Sequence, residues 1–370
     1  MQSLKSNALE PTRSELAGLT RGQAILRVLP HYGLPILTVL LIGVFSLLLP
    51  ESFPTTINAR SILSDKAIIA LLSLAAMVPM MAGRIDLTIG FGIVMWHILA
   101  ISLQVQYGVP WPVACLIVIL CAGAAGLVNG ILVEVAQIDS FIATLGTGTI
   151  LYALALWHTD GRQIVGVLPE GFVAINGSSV FGVPAPAVYA LVLAVVLWVT
   201  TERMPLGRHI YAIGANEKAA ALNGIPVRAH VVGVFVASGL LVGFTGCVLA
   251  SKLQIGQANV GLDYLLPALV GTFLGSTTIR PGRVNVWGTI VGVLILAVGI
   301  SGIQQLGGAF FVEPLFNGIT LLVSIALAGV AQRRRSVATP RPPVTGLETA
   351  RDSGTPSEKD GKESGVSHAT

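Results

Sequence analysis

Charge is the scarcest commodity in this chain. Only 11% of its 370 residues are Asp, Glu, Lys or Arg, against about a quarter in a soluble globular domain. That is too little to solvate a water-facing surface of this size, so most of the outer surface is expected to meet lipid. Aromatic residues are also few, at 6%, and there are three cysteines. Cys115, Cys121 and Cys247 all sit in apolar runs without metal-ligand spacing, so they read as small apolar filler and leave the redox compartment open. Reaction signatures are missing too. No Gly-x-x-x-x-Gly-Lys-Ser/Thr loop occurs, so the chain is not expected to hydrolyse ATP itself. No His-Glu-x-x-His occurs and the histidines are scattered, which argues against an intramembrane metalloprotease and against a bound metal. No nucleophile–base constellation, cofactor fingerprint or nucleic-acid module is apparent. Residues Met1–Pro30 contain no continuous apolar run, so no cleavable signal peptide is expected and targeting falls to the first span.

What is present is apolar length. Hydrophobic residues make up 53% of the chain, and there are 42 glycines, which let helices approach closely in lipid or break beside a cavity. About ten segments approach the roughly 17–25 residues that a bilayer helix needs. They lie near Gly33–Leu49, Ala67–Ala82, Leu87–Val105, Trp111–Val135, Phe141–His158, Ala185–Thr201, Val231–Ala250, Tyr264–Gly275, Val286–Leu306 and Pro314–Ala331. The Tyr264–Gly275 segment is short enough to be re-entrant or buried by its neighbours.

The net charge of +4 fits orientation in a bilayer better than nucleic-acid binding. Arg13, Arg21 and Arg27 precede the first span and put the N-terminus in the cytoplasm. Ten crossings return Arg333, Arg334 and Arg335 to the same side, together with Arg203, Arg208, Lys218, Arg228, Arg280 and Arg283. Only Arg60, Lys66, Arg162 and Lys252 fall outside. The expected fold is therefore an all-α integral membrane protein of about ten transmembrane helices, some short or broken, with both termini cytoplasmic. Three regions are expected: a cytoplasmic segment at 1–30, a polytopic transmembrane domain at 31–331, and a disordered cytoplasmic tail at 332–370. The tail is rich in Pro, Ser, Gly, Glu and Lys and buries too little to fold. The outward loop 159–184 is rich in Gly and Pro and can form a small cap or meet a partner.

The inward loop 202–230 is punctuated as a helix. Asn216 suits its N-cap and Glu217 its positive dipole end. Lys218-Ala-Ala-Ala-Leu favours helix, Gly224 supplies a left-handed C′ position, and Pro226 prevents continuation. Such a short helix between spans suits a docking role; with several alanines its apolar face is weak for a helix lying on lipid.

This loop resembles the cytoplasmic coupling loop of ribose- and xylose-type ABC importer permeases. It reads Leu206-Gly207-Arg208, then Tyr211-Ala212-Ile213-Gly214-Ala215-Asn216, then Lys218-Ala219-Ala220 and Gly224. Gly83-Arg84-Ile85-Asp86-Leu87-Thr88-Ile89-Gly90 is similar to that family's Gly-Gly-Ile-Asp-Leu-Ser-Val-Gly. Gly126-Leu-Val-Asn-Gly130, Phe141-Ile-Ala-Thr-Leu-Gly146 and Gly282-Arg-Val-Asn-Val-Trp-Gly-Thr289 match in order and spacing. Two departures stand out: Lys218 replaces the usual Glu, and Arg84 replaces a usual Gly.

The resemblance implies a membrane subunit of a binding-protein-dependent sugar importer, embedded in the lipid of a bacterial inner membrane. Its expected partners are a separate ATP-binding subunit, a periplasmic solute-binding protein and a second copy of the chain; nucleic acid is not among them. The residues it assigns to the ATPase contact are Gly207, Arg208, Asn216, Glu217, Lys218, Ala219, Ala220 and Gly224. Asp86 is the most informative acid, because a carboxylate between apolar segments is costly unless paired or hydrated. It is expected either to pair with nearby Arg84 or to act as a gate or solute contact. Asn129, Thr144, Thr147 and Thr149 offer neutral polar groups that suit either a sugar path or helix packing. Gly126 and Gly130 have the spacing of a packing motif. Gln254, Gln257, Asn259 and Asp263 gather outside, where they suit a binding-protein contact or the pore mouth. An ion-coupled secondary transporter with Asp86 as its coupling group is the reading from another class, and a branched-chain amino acid permease is the nearer alternative.

Overall fold

The computed structural model describes residues 21–309 and 311–337. The chain divides into one compact unit at 1–332 and another at 333–370. Its helices are α1 (Arg21–Leu48), α2 (Thr56–Met81), α3 (Thr88–Val105), α4 (Trp111–Glu134), α5 (Ser140–Thr159), α6 (Glu170–Gly177), α7 (Ala185–Glu202), α8 (Pro205–Ala215), α9 (Glu217–Leu222), α10 (Val227–Leu253), α11 (Leu265–Gly275), α12 (Val286–Gln305) and α13 (Val312–Val337). A two-residue hairpin, β1 (Ser179–Val180) with β2 (Val183–Pro184), follows α6.

Among the described residues seven helices are long and apolar enough to cross a membrane: α2, α3, α4, α5, α7, α10 and α12. Three shorter apolar stretches, Tyr32–Leu48, Leu262–Gly275 and Val312–Ala326, complete the expected ten. The protein is an all-α integral membrane protein. Three boundaries move by six residues or more. The first helix starts at Arg21, inside the segment expected to precede it. α2 starts at Thr56 rather than Ala67, because Thr55 caps it by accepting from the Asn58 amide. α13 runs on to Val337, six residues into the tail expected to be disordered from 332, and the rest of that tail lies outside the described residues.

Burial sorts the helices into layers. The apolar windows of α2, α3 and α12 are 67%, 72% and 67% buried, against 28% for α5 and α7. α5 and α7 expose rows such as Ile142, Leu145 and Ile150, or Leu191, Val192, Val195 and Val196. Such rows need lipid to cover them. Short α11 lies between α2 and α12, and its Thr272 hydroxyl donates to the Ser73 carbonyl. It is the segment expected to be short, and its neighbours bury it.

Among the described residues the most extensive helix–helix contact joins α4 to α10. A Cβ at Gly126 would sit on the Phe235 carbonyl, and one at Gly130 would come within 2.8 Å of the Val232 Cα. From the other side, a Cβ at Gly239 would sit on the Ala122 carbonyl. The small-xxx-small spacing of Gly126 and Gly130 is thus a packing strip. In lipid such close approach replaces the hydrophobic drive that associates helices in water.

Candidate functional site

The polar residues collect at the two ends of the bundle. One end carries the connectors 82–87, 135–139, 203–226 and 276–285. Here α8 is fixed to the spans from three directions. A Cβ at Gly207 would collide with the backbone of Thr201, and one at Gly214 with the Met81 carbonyl. The Tyr211 hydroxyl donates to the Val284 carbonyl at 2.9 Å, and the Arg283 guanidinium lies 3.4 Å from the Tyr211 ring centroid. Burial raises the Tyr211 hydroxyl above the ordinary tyrosine pKa. Arg280 pairs with Glu202 at the end of α7. α8 is therefore a fixed platform.

The short helix α9 projects from that platform. Asn216 adopts an extended backbone, and its Oδ1 accepts from the Ala219 amide at 3.0 Å, which is the N-cap the sequence announces. Gly224 closes the helix at φ +79, a conformation that a Cβ would strain. Ala220 is buried, whereas Lys218 and Ala219 are exposed and Leu222 stands 89% exposed. Arg208 on α8 is exposed as well. An apolar side chain thus stands bare on a capped helix. Leu222 was absent from the residues the sequence nominated, because its exposure depends on how α9 is rolled.

Arg84 ties this helix to the spans. Its Nη2 donates at 2.9 Å to Glu134 Oε1 at the end of α4 and at 2.9 Å to Glu217 Oε2 at the start of α9. Glu134 is only 2% exposed, so this arm of the clasp is buried, while Glu217 is 49% exposed. The expected pairing of Arg84 with Asp86 is corrected here. The positive-φ turn at Gly83 carries Arg84 to acids on other helices, and Asp86 finds different partners. Glu134 went unnoticed in the sequence, though a lone acid ending a long apolar run is a signal that something charged must meet it.

Asp86 is buried and accepts three hydrogen bonds. Its Oδ1 takes the Thr88 amide at 2.9 Å and the Thr88 hydroxyl, and its Oδ2 takes the Ser238 hydroxyl of α10 at 2.9 Å. Burial pushes the carboxyl above the ordinary carboxylate range, and those three bonds oppose the shift. The network continues inward: Asn129 Nδ2 donates to Thr88 Oγ1 at 3.2 Å, and the Thr147 hydroxyl donates to Asn129 Oδ1 at 2.6 Å. Alongside it, the Thr144 hydroxyl accepts from the Leu87 amide and the Ser140 hydroxyl from the Ile85 amide. Four residues nominated for the path thus come together, as a buried lattice that holds the 82–87 connector against α4, α5 and α10. Thr149 stands apart, exposed and bonded to its own helix at Leu145.

At the opposite end, the antiparallel bridge between Ile164 and Gly256 joins the 160–184 loop to the 254–261 connector. The Gln257 side chain accepts from Gln163 at 2.7 Å, and its amide faces His97 Nε2 at 3.4 Å. Phe172 of α6 is fully buried beneath this loop, and the Ser251 hydroxyl donates to its carbonyl, so the loop does form a small cap. Among the described residues no cluster of His, Cys, Asp and Glu is arranged to hold a metal ion.

A family model described as "Branched-chain amino acid transport system / permease component" matches residues 58–328. The ribose import permease protein of Bacillus subtilis (strain 168) is 32% identical over 79% of this chain and 91% of its own length. The D-allose transport system permease protein of Escherichia coli (strain K12) is 29% identical over 80% of this chain and 90% of its own. An autoinducer 2 import system permease protein of Escherichia coli (strain SMS-3-5 / SECEC) is 26% identical over 74% of this chain and 84% of its own. No solved structure matches the chain. A bundle of apolar spans with one lashed-down polar end, matched along most of its length, belongs to the transport-system permease family that includes the ribose, allose and autoinducer 2 import permeases.

Proposed function

We propose that this chain is the membrane subunit of an ATP-driven importer for a sugar-like solute, working as a homodimer with two kinds of partner. A separate ATP-binding subunit docks on α9 and the exposed face of α8, and a solute-binding protein delivers solute at the opposite end. The ATP-binding role is assigned elsewhere because the sequence carries no phosphate-binding loop. The arginine-bearing end is cytoplasmic, which fits the bias of Arg203, Arg208, Arg228, Arg280 and Arg283 toward it. In the domain reading, 31–331 is the permease, 1–30 a cytoplasmic lead and 332–370 a tail. Two relatives named for ribose and D-allose support a sugar over a branched-chain amino acid. A purified chain that drove uptake alone with protons or sodium would support the secondary-transporter reading instead.

The carrying observation is Leu222, bare on a capped helix whose platform cannot give way. Docking would bury it, and burial of one leucine contributes about 1.5–3 kcal/mol. Leu222→Asp removes that and asks the interface to bury a charge. Capture of an ATP-binding subunit from mild-detergent membranes is expected to fall at least ~10-fold, with the permease still monodisperse. Gly207→Pro and Ala220→Glu are poorer probes, since Gly207 is buried in the α8 platform and Ala220 on the inner face of α9. Undiminished capture by Leu222→Asp would remove α9 as the docking helix.

The second nominated set takes a framing role in this reading. Asp86, Asn129, Thr144 and Thr147 hold the connector that carries Arg84, and Arg84 holds α9. Movement of the docked ATPase then reaches the spans through ion pairs and hydrogen bonds.

A further inference from the structure

The cysteines read as apolar filler in the sequence, but the fold sets two of them face to face. The seam between α4 and α10 keeps a regular antiparallel register. A Cβ at Gly130 would meet the Cα of Val232, and one at Gly126 the carbonyl of Phe235 and the Cα of Val236. One at Gly239 would meet Ala122 and Gly123, and one at Gly243 the Cα of Ile119 at 2.9 Å. Each step back of three or four residues along α4 is thus matched by a step forward of three or four along α10. One further step of four leads from Ile119 to Cys115 and from Gly243 to Cys247. There the Cys247 thiol donates to the Cys115 carbonyl at 3.9 Å. The two thiols also lie within hydrogen-bonding reach of each other.

The setting suits a covalent rung. A disulfide needs its two Cα atoms about 4.4–6.8 Å apart. Helices packed through large side chains hold their axes about 8–10 Å apart, and a glycine seam brings the backbones nearer. Cys115 lies in the second turn of α4 and Cys247 in the last two turns of α10. Both are therefore at the end of the bundle opposite the 135–139 and 203–226 connectors. In the orientation proposed above this is the outer end, on the side where disulfides persist. Cys247 is buried, Cys115 is half-buried, and Cys121 stands exposed on α4, away from the pair.

We propose that Cys115 and Cys247 are a redox modification site, closing to a disulfide when hydrogen peroxide enters the outer leaflet. The inference takes from the importer reading only its orientation in the membrane. Half-buried Cys115 is the thiol that peroxide reaches. Its sulfur gives up its proton and attacks one peroxide oxygen; the O–O bond breaks, a sulfenic acid forms, and the other oxygen leaves with that proton as water. The Cys247 sulfur then attacks the sulfenic sulfur. An S–S bond replaces the S–O bond, and the hydroxyl leaves with the Cys247 proton as a second water. The two sulfurs lose two electrons and the peroxide gains them. Closure needs no helix movement, because the glycines along the seam already hold the backbones together. The bond joins positions 132 apart and so removes much freedom from the unfolded chain. It also keeps the thiols from further oxidation, since a sulfenic acid beside a second thiol condenses with it instead of passing to the irreversible acids.

The test counts thiols in the full chain. Membranes carrying the Cys121→Ala permease, which keeps only the pair, are exposed to hydrogen peroxide, denatured and labelled with a polyethylene glycol maleimide. The count is expected to fall from two adducts per chain to none, within the monomer band of a non-reducing gel, and to return to two after dithiothreitol. Cys115→Ala combined with Leu116→Cys moves one thiol off the register without changing the number of thiols. Leu116 is 56% exposed, so this variant is expected to keep both adducts. In detergent the oxidised pair is expected to melt several degrees above the reduced one. Two adducts retained under peroxide, or a loss that dithiothreitol does not reverse, would overturn the pair. Equal reversible loss in the relocated variant would overturn the register argument, and an unchanged melting temperature would overturn the stabilising role.

Discussion

Gly126→Leu is expected to eliminate folded permease from the membrane. The side chain would have to occupy the place of the Phe235 carbonyl, with Val236 beside it, so relief requires the α10 backbone to move. Overpacking costs about 1–3 kcal/mol where side chains can yield, and more where they cannot. The neighbouring glycines block a simple slide, because Gly130 lies against Val232 and Gly239 against Ala122 along the same seam. Gly126→Ala should be graded, losing part of the yield. Val128→Leu is the control on the same helix: Val128 is 50% exposed on the lipid-facing side and should tolerate the change. The readout is the monodisperse peak of detergent extracts. If Gly126→Leu gave the yield of Val128→Leu, the α4–α10 contact would not be a seam that sets the fold.

That seam was legible in the sequence because small-residue spacing is local, and the ten apolar segments were legible for the same reason. The first three turns of α2 were not. Asn58, Arg60, Ser61, Asp65 and Lys66 depress the hydropathy there, and only the fold shows that several of them line a cavity. The cap of α9 was read correctly from Asn216 and Gly224, since caps are set by neighbouring residues. The partner of Arg84 was read wrongly, because proximity in sequence favoured Asp86 while the turn at Gly83 aims Arg84 elsewhere. Glu134 and Glu217 lie 50 and 133 residues away from it in the chain. The pairing of Lys66 with Glu313 escaped for the same reason, since the two are 247 positions apart. Pairings of that range are decided by packing, which no local pattern records.

The Arg84 clasp allows stability and coupling to be separated. Its two arms differ in burial, so their loss should differ in kind. Arg84→Met leaves Glu134 as an uncompensated carboxylate, 2% exposed at the end of α4. Breaking a buried pair from one side costs about 3–5 kcal/mol, and the variant is expected to melt well below the wild type in detergent. Adding Glu134→Gln removes the orphaned charge, so the double variant should recover most of that loss. The Glu217 arm is half exposed, and a pair of that kind contributes about 0–1 kcal/mol. Glu217→Gln should therefore fold normally and still capture the ATP-binding subunit. Its solute uptake should nevertheless fall while ATP hydrolysis continues, because α9 is no longer tied to the connector that Asp86 and Thr144 hold. The recovered double variant should share this uncoupled behaviour, since it too lacks the tie to α9. If Glu217→Gln transported like the wild type, the clasp would be a structural pair alone. The path from α9 to the spans would then have to run through the α8 platform, by way of Tyr211 and Arg283.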